Sequence, residues 1–245
     1  MDTNPLSSAE GTVSMITSDE NRKKGAVSGD LTTTVVSRER STDKFQWAVS
    51  IKPAVADQER TEYADNAQSA MNNAMSRSSS GSAVVSPDGR YLSLILLPAE
   101  QQSGETVADQ HTHIIVLDTK TGKTVRDATV SGIVLGQALT NDSLVVETSQ
   151  HFYPAGTGIL NVFSFTNPQA EPTSFRSDQW LIGASPESLL MSQELPSREG
   201  SGASWPYAIT RHSTAGEDLG TVIGVRGLHP GGWIDRFKDR EAAAA

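Results

Sequence analysis

The segment Ser86-Pro87-Asp88-Gly89-Arg90-Tyr91-Leu92 carries the clearest structural signal in this chain of 245 residues. Proline at the second and glycine at the fourth position of Ser-Pro-Asp-Gly are typical of a type I turn. The residues on both sides of the turn, Ala83-Val84-Val85 and Tyr91 to Leu97, are apolar, β-branched or aromatic. The pattern therefore predicts two strands joined by a tight turn.

A second hairpin follows in the same segment. His113 to Leu117 reads as a strand, Asp118-Thr119-Lys120-Thr121-Gly122-Lys123 as a turn, and Thr124 to Val130 as the returning strand. Thr121-Gly122-Lys123-Thr124 also resembles the end of a phosphate-binding P-loop. That motif requires glycine where Leu117 stands and a helix after Lys123, so we interpret the segment as a hairpin turn.

Two looser copies of this four-strand pattern follow. Leu92, Leu144 and Leu189, which come after the first turn of each copy, are 52 and 45 residues apart. This spacing is typical of four-stranded propeller blades with loop insertions. The strands predicted in the two later copies are Ile133 to Leu139, Ser143 to Thr148, Ile159 to Phe165, Thr173 to Arg176, Trp180 to Ala184, Ser188 to Met191, Pro206 to Arg211 and Leu219 to Val225.

The phrase Ser-Pro-Asp-Gly-Arg-Tyr-Leu, followed by Ile-Val-Leu-Asp-Thr-Lys-Thr-Gly-Lys, resembles one blade of a β-propeller. It is similar to the broad group of WD40-like, TolB-like, YVTN and pyrroloquinoline-quinone-like (PQQ-like) repeats. In that group the first phrase joins strands one and two of a blade, and the second joins strands three and four. The resemblance is good over residues 82–132, degenerate over 133–226 and partial over 12–53.

The resemblance implies an all-β fold, a propeller or partial propeller of about four four-stranded antiparallel blades with one short helical insertion. Three strands are expected before the insertion, at Thr12 to Thr17, Leu31 to Ser37 and Phe45 to Ile51. Residues 54–80 show a weak amphipathic stripe and no strand signal, which favours a short helix in a loop; an interdomain linker is the alternative. We expect disorder at 1–10, an incomplete blade at 11–53, the helix or loop insertion at 54–81, blades at 82–132, 133–179 and 180–228, and a further blade or a tail at 229–245.

Charge and composition exclude several kinds of function. Twenty basic against 29 acidic residues give a net charge of −9, which argues against a nucleic-acid partner. Because the chain has no cysteine, disulfides, thiolate metal sites and cysteine nucleophiles are excluded. The N-terminal residues lack a signal-peptide pattern, and no apolar run approaches the ~20 residues of a membrane-spanning helix. The blade count favours an excerpt of a larger propeller over a small closed ring.

Catalytic and metal-binding motifs are sparse. His111 and His113 are two apart at a strand start, so they share one face and form the candidate metal pair; a solvated strand start is the alternative. Ser185 is the nearest approach to a nucleophile elbow, but Pro186 follows it, so a turn is favoured. Asp88 and similar turn aspartates are expected to bind their own backbone. No cofactor is predicted.

Partner contacts are expected from aromatic and histidine residues in the loops. Trp205 follows a glycine- and serine-rich loop, and His151 and Tyr153 lie in a loop after a strand. The sequence favours a non-catalytic propeller module that binds a protein, peptide or other ligand through its loop faces. The alternative is the accessory propeller of a larger serine hydrolase or quinone-dependent dehydrogenase. An extracytoplasmic location in a cell-envelope protein is compatible with the high share of serine and threonine.

Overall fold

The computed structural model describes residues 5–18, 31–56, 82–96, 111–150, 158–194 and 205–228. Sixteen strands in these residues form four sheets of four strands, and the described ranges contain no helix. In every sheet the strands lie in chain order and pair antiparallel. The predicted all-β class and the four-stranded antiparallel sheets are therefore confirmed, whereas the helix expected within 54–81 falls mainly on residues 57–81, outside the described ranges.

The strands have the following bounds. The first sheet contains β1 (Leu6–Ser7), β2 (Gly11–Ser18), β3 (Thr32–Glu39) and β4 (Phe45–Ile51). The second contains β5 (Ala83–Val85), β6 (Tyr91–Ile95), β7 (His111–Asp118) and β8 (Thr124–Ser131). The third contains β9 (Ile133–Leu139), β10 (Ser143–Ser149), β11 (Gly158–Ser164) and β12 (Thr173–Ser177). The fourth contains β13 (Trp180–Ala184), β14 (Leu189–Glu194), β15 (Trp205–His212) and β16 (Asp218–Leu228).

The first strand corrects one expectation. Residues 1–10 were expected to be disordered and the first blade to be incomplete, yet Leu6 and Ser7 pair with Val13 and Thr12. Leu6 also packs against the apolar core. A two-residue strand shows no recognisable β pattern in the sequence, because its stability comes from that pairing and packing. The first sheet thereby obtains its fourth strand from the N-terminal segment.

Three apolar clusters hold consecutive sheets together. The first joins sheets one and two through buried residues including Val13, Val35, Leu92 and Leu94. The second joins sheets two and three, and the third joins sheets three and four. A four-stranded sheet cannot cover both of its own faces, so stacking against its neighbours is the stable arrangement. Four meander sheets stacked in chain order form consecutive blades of a β-propeller.

The same serine or threonine position recurs in the first turn of every sheet. In each case its side-chain oxygen accepts the N–H of a residue three to five positions further on, which closes the turn. The four acceptors are Ser8, Ser86, Thr140 and Ser185, and the donors, at 2.9–3.2 Å, are Gly11, Tyr91, Ser143 and Ser188. The motif found at Ser86 in the sequence is thus one copy of a four-fold repeat.

Candidate functional site

The first turns of the four sheets are joined to one another by hydrogen bonds. Ala9 N–H donates to the Gly89 carbonyl over 3.0 Å, and Asp88 N–H donates to Asn141 Oδ1 over 3.2 Å. Asn141 N–H in turn donates to the Pro186 carbonyl over 3.0 Å. All four first turns therefore lie at one end of the stacked sheets, which we call the short-turn end.

The opposite end carries the long connections between second and third strands. Because neighbouring strands are antiparallel, those connections must leave from the end remote from the first turns. We call this end, with the connections 19–31, 96–110, 150–157 and 195–204, the long-loop end. Seven connections at the short-turn end have only three to five residues, at 8–10, 40–44, 86–90, 119–123, 140–142, 185–188 and 213–217, and the eighth, 165–172, has eight.

The insertion between the first two sheets also begins and ends at one place. Ala56 N–H donates to the Ile95 carbonyl over 2.9 Å, and Ile95 N–H donates to the Ser82 carbonyl over 2.8 Å. The residues flanking 57–81 thus meet on the last residue of β6, where connection 96–110 begins. The ends of the insertion therefore lie at the long-loop end.

Large side chains from the outer strands join each sheet to a turn of the next. Trp47 on β4 donates its Nε1–H to the Thr119 carbonyl over 2.9 Å, and its ring covers Gly122. Phe175 on β12 covers Gly216 in the same way. The buried Arg126 on β8 plays this role between sheets two and three: its guanidinium donates to the carbonyls of Asn167, Pro168 and Ala170 and lies 5.2 Å from the centre of the Phe163 ring.

A cleft of about 220 Å³ opens beside the contact of Phe175 with Gly216. It lies between the end of β12 and the β15–β16 hairpin, so it is shared by the third and fourth sheets. Its lining combines an aromatic ring, one basic and one acidic side chain, and a histidine. The lining residues are Phe175, Arg176, Ser177, Asp178, Gln179, His212 and Gly216.

His212 is the buried polar centre of this cleft. Its Nε2 lies 3.0 Å from Thr210 Oγ1 and 3.2 Å from Gln179 Oε1, and the Thr210 hydroxyl donates to the same Gln179 oxygen. Since Gln179 Oε1 can only accept, a proton on His212 Nε2 satisfies the network and leaves Nδ1 as the acceptor of the neutral ring. His212 is one of five histidines in the chain, and the sequence offered no reason to select it.

The predicted partner residues map to the long-loop end. His151 and Tyr153 belong to connection 150–157 and lie outside the described residues. Trp205 is the first residue of β15, directly after connection 195–204, and pairs with Leu228. The start of β15 at Trp205 and the end of β10, after which His151 and Tyr153 follow in the sequence, both lie at the long-loop end.

The candidate metal pair lies on an exposed part of the second sheet. His111 Nδ1 is 3.1 Å from Ser131 Oγ, and His113 Nδ1 is 3.9 Å from Asp127 Oδ1. Within the described ranges, no group of three or more histidine, aspartate or glutamate side chains is placed to hold a metal ion. A metal site at His111 and His113 stays a prediction from the sequence.

The turn residues bind their own backbone as expected. Asp118 Oδ1 accepts the N–H groups of Lys120 and Thr121, and Asp88 Oδ1 accepts that of Arg90. Ser185 Oγ accepts the Ser188 N–H, so this serine closes a turn. In the described part of the chain no helix has the length and apolar character needed to cross a membrane.

Comparison with known proteins identifies structural similarity alone. No protein-family model matches the chain, and none of the curated proteins matches it. Similar solved structures include the β-propeller domain of the Trilobed protease from Pyrococcus furiosus (TM-score 0.49, 10% identity, 91% of this chain and 57% of that one). Others are the Pyrococcus horikoshii acylaminoacyl peptidase (0.49, 12%, 91% and 32%) and TolB from Acinetobacter baumannii (0.42, 13%, 92% and 44%). The chain spans less than two thirds of the length of each.

Proposed function

We propose that this propeller module is a non-catalytic binding module that takes a protein or peptide segment at its long-loop end. The observation that supports the proposal is the asymmetry of the fold: the long second-to-third connections all leave from the end remote from the hydrogen-bonded first turns. Loops placed by a rigid scaffold are where binding residues concentrate. Aromatic residues such as Tyr153 and Trp205 are typical anchors of protein interfaces.

Selection of peptides from a displayed random library on the immobilised chain tests the proposal. We expect selected peptides to lose about tenfold or more in affinity on Tyr153→Ala or Trp205→Ala, measured by fluorescence anisotropy. Pro87→Ala and Glu187→Ala, at exposed positions of the short-turn end, are the matched controls and should leave Kd unchanged. Unchanged thermal midpoints confirm that all four variants are folded.

Two outcomes would contradict the proposal. One is a library that yields no specific peptide, and the other is a set of peptides whose binding responds to the short-turn variants and not to the long-loop variants. The accessory-domain alternative stays a prediction from the sequence resemblance. This alternative requires that the flanking reading frame encodes a hydrolase or dehydrogenase domain, or further blades. Sequencing the flanking region tests it.

A further inference from the structure

Glu147 is a carboxyl group buried between the third and fourth sheets. It lies on β10, is 1% exposed, and shares its face of the strand with the core residue Val145. Its Oε2 accepts the backbone N–H of Leu181, on β13 of the fourth sheet, over 2.8 Å. The side chain therefore supplies a direct polar link between the two sheets inside their apolar interface, in addition to the backbone hydrogen bond from Asn141 to Pro186 between their first turns.

No hydrogen bond compensates for the burial of the other carboxyl oxygen, Oε1. Glu147 Oε1 is buried and without a hydrogen-bond partner. Its neighbour on β11 is Gly158, where a Cβ would lie only 2.3 Å from Oε1. The carboxyl group is therefore pressed against bare backbone, where a negative charge would be poorly solvated.

No ionisable side chain occurs on β9, β11 or β13, the strands around Glu147. On the third sheet's outer strand, Arg176 is exposed to solvent. On the fourth sheet, His212 is engaged by Thr210 and Gln179, and Arg211 and Asp218 are exposed. The remaining ionisable groups on the strands of that sheet are Glu194, Tyr207 and Arg226.

The protonation equilibrium of Glu147 reflects this environment. Burial raises the pKa of the carboxyl group from 4.5 to about 7, and the Leu181 hydrogen bond opposes part of that rise. Among the residues that the structure describes, no charged neighbour contributes to the shift. The group therefore changes its charge near neutral pH while it remains inside the interface.

We propose that Glu147 is a proton-dependent latch between the third and fourth sheets. The neutral carboxyl group holds the Leu181 N–H at low cost. The ionised group retains this hydrogen bond but places an uncompensated charge in the interface, so the start of β13 opens more often as pH rises.

The cleft is the part of the surface that this latch would control. Gln179 lies two residues before Leu181 and accepts the hydrogen bond from Thr210 in the cleft. Opening at Leu181 would displace Gln179 and disconnect it from His212. The inference concerns the interface itself and stands independently of the proposed binding at the long-loop end.

Hydrogen exchange of the peptide that contains Leu181 tests the latch on the whole chain. After correction for the intrinsic pH dependence of amide exchange, we expect protection at Leu181 to fall about 30-fold between pH 5.5 and pH 8. Glu147→Gln retains a hydrogen-bond acceptor without a titratable proton, so its protection should stay constant. Glu187→Gln, at an exposed turn position of the fourth sheet, is the matched control, and its protection at Leu181 should depend on pH as in the wild type.

Protection in the wild type that does not change with pH, or an equal fall in Glu147→Gln, would overturn the proposal. If Glu147→Gln does not fold, NMR titration of the wild-type protein with ¹³C-labelled glutamate decides the question. One carboxyl resonance with a midpoint near pH 7 supports the latch. Titration of every glutamate below pH 5 overturns it.

Discussion

Two turn glycines contact an aromatic ring of the preceding blade. Gly122 and Gly216 occupy equivalent turn positions with φ of 69° and 88°, and each has the ring of a preceding strand where a Cβ would lie. Asp43 holds the corresponding position in the first sheet with φ of 55°, and its side chain is 80% exposed. A side chain is tolerated there because no ring among the described residues covers that turn.

Gly122→Ala tests this role. The new Cβ would lie 2.7 Å from the Trp47 ring, in a left-handed backbone conformation, so we expect a loss of about 2–4 kcal/mol in the free energy of unfolding. Gly183→Ala is the control, because its Cβ meets nothing within 4 Å, and it should change stability by less than about 1 kcal/mol. Urea denaturation measures both, and equal losses would show that the Trp47 contact is unimportant.

Glu147 makes a second prediction at this scale, for global stability. Its pKa is about 7 in the folded protein and near 4.5 when exposed, so the folded state binds the proton more tightly. The stability contributed by the protonated group is complete below pH 4.5 and is lost as pH rises to 7, by about 3 kcal/mol. Glu147→Gln should remove this dependence. Urea midpoints measured from pH 4.5 to 8 check it, and parallel curves for the two proteins would contradict it.

At the scale of elements, the outer strands of the first three sheets, β4, β8 and β12, each contact a turn of the following sheet. Trp47 and Phe175 make this contact with an aromatic ring, whereas Arg126 makes it with a charged group. The buried Arg126 guanidinium donates hydrogen bonds to three backbone carbonyls and lies over the Phe163 ring. The sequence pattern predicts β8 as a strand, but it does not predict which residues the Arg126 side chain contacts. The turn that receives it lies about 40 residues further along the chain.

Arg126→Ala should therefore be strongly destabilising. We expect a loss of about 3–5 kcal/mol, because the substitution removes packing and leaves buried carbonyls without donors. Arg126→Lys should recover only part, since one ammonium cannot reach three carbonyls in the same geometry. The control is Arg38→Ala, which removes an exposed ion pair with Asp43 and should change stability by at most about 1 kcal/mol. Similar losses for Arg126→Ala and Arg38→Ala in urea denaturation would refute this account.

At the scale of the whole molecule, the apolar clusters of the described residues join the four sheets in series. Each apolar cluster is shared by two consecutive sheets, so stability should behave as a sum of sheet and nearest-neighbour terms. The hydrogen bonds between the first turns reinforce the same order of neighbours. A defect in one interface should therefore spread to the two sheets that share it before it reaches the others.

Leu94→Ala and Leu189→Ala test this order. Both leucines are fully buried, Leu94 between sheets one and two and Leu189 between sheets three and four. We expect each to lose about 2–5 kcal/mol, with faster amide exchange in β2 and β6 for the first variant and in β10 and β14 for the second. If both variants accelerate exchange equally in all four sheets, the chain unfolds as one unit and the linear description fails.

The sequence predicts turns and strands because their formation depends on residues that are neighbours in the chain. The Ser86 turn, the hairpin at Gly122 and nearly every strand within the described residues follow from short-range preferences. Leu6–Ser7 is the exception, since a two-residue strand depends on its partner rather than on its own pattern.

Only the tertiary structure shows which residues meet across sheets. The alternation in β10 assigns Glu147 to a core face, but nothing local reveals that its carboxyl group would reach Leu181 and lie against Gly158. The cleft at His212, the contacts of Trp47 and Arg126, and the gathering of the long loops at one end likewise depend on the stacking of sheets. Hydrophobic burial between blades, which is non-directional, decides that stacking, and the register of the polar contacts follows from it.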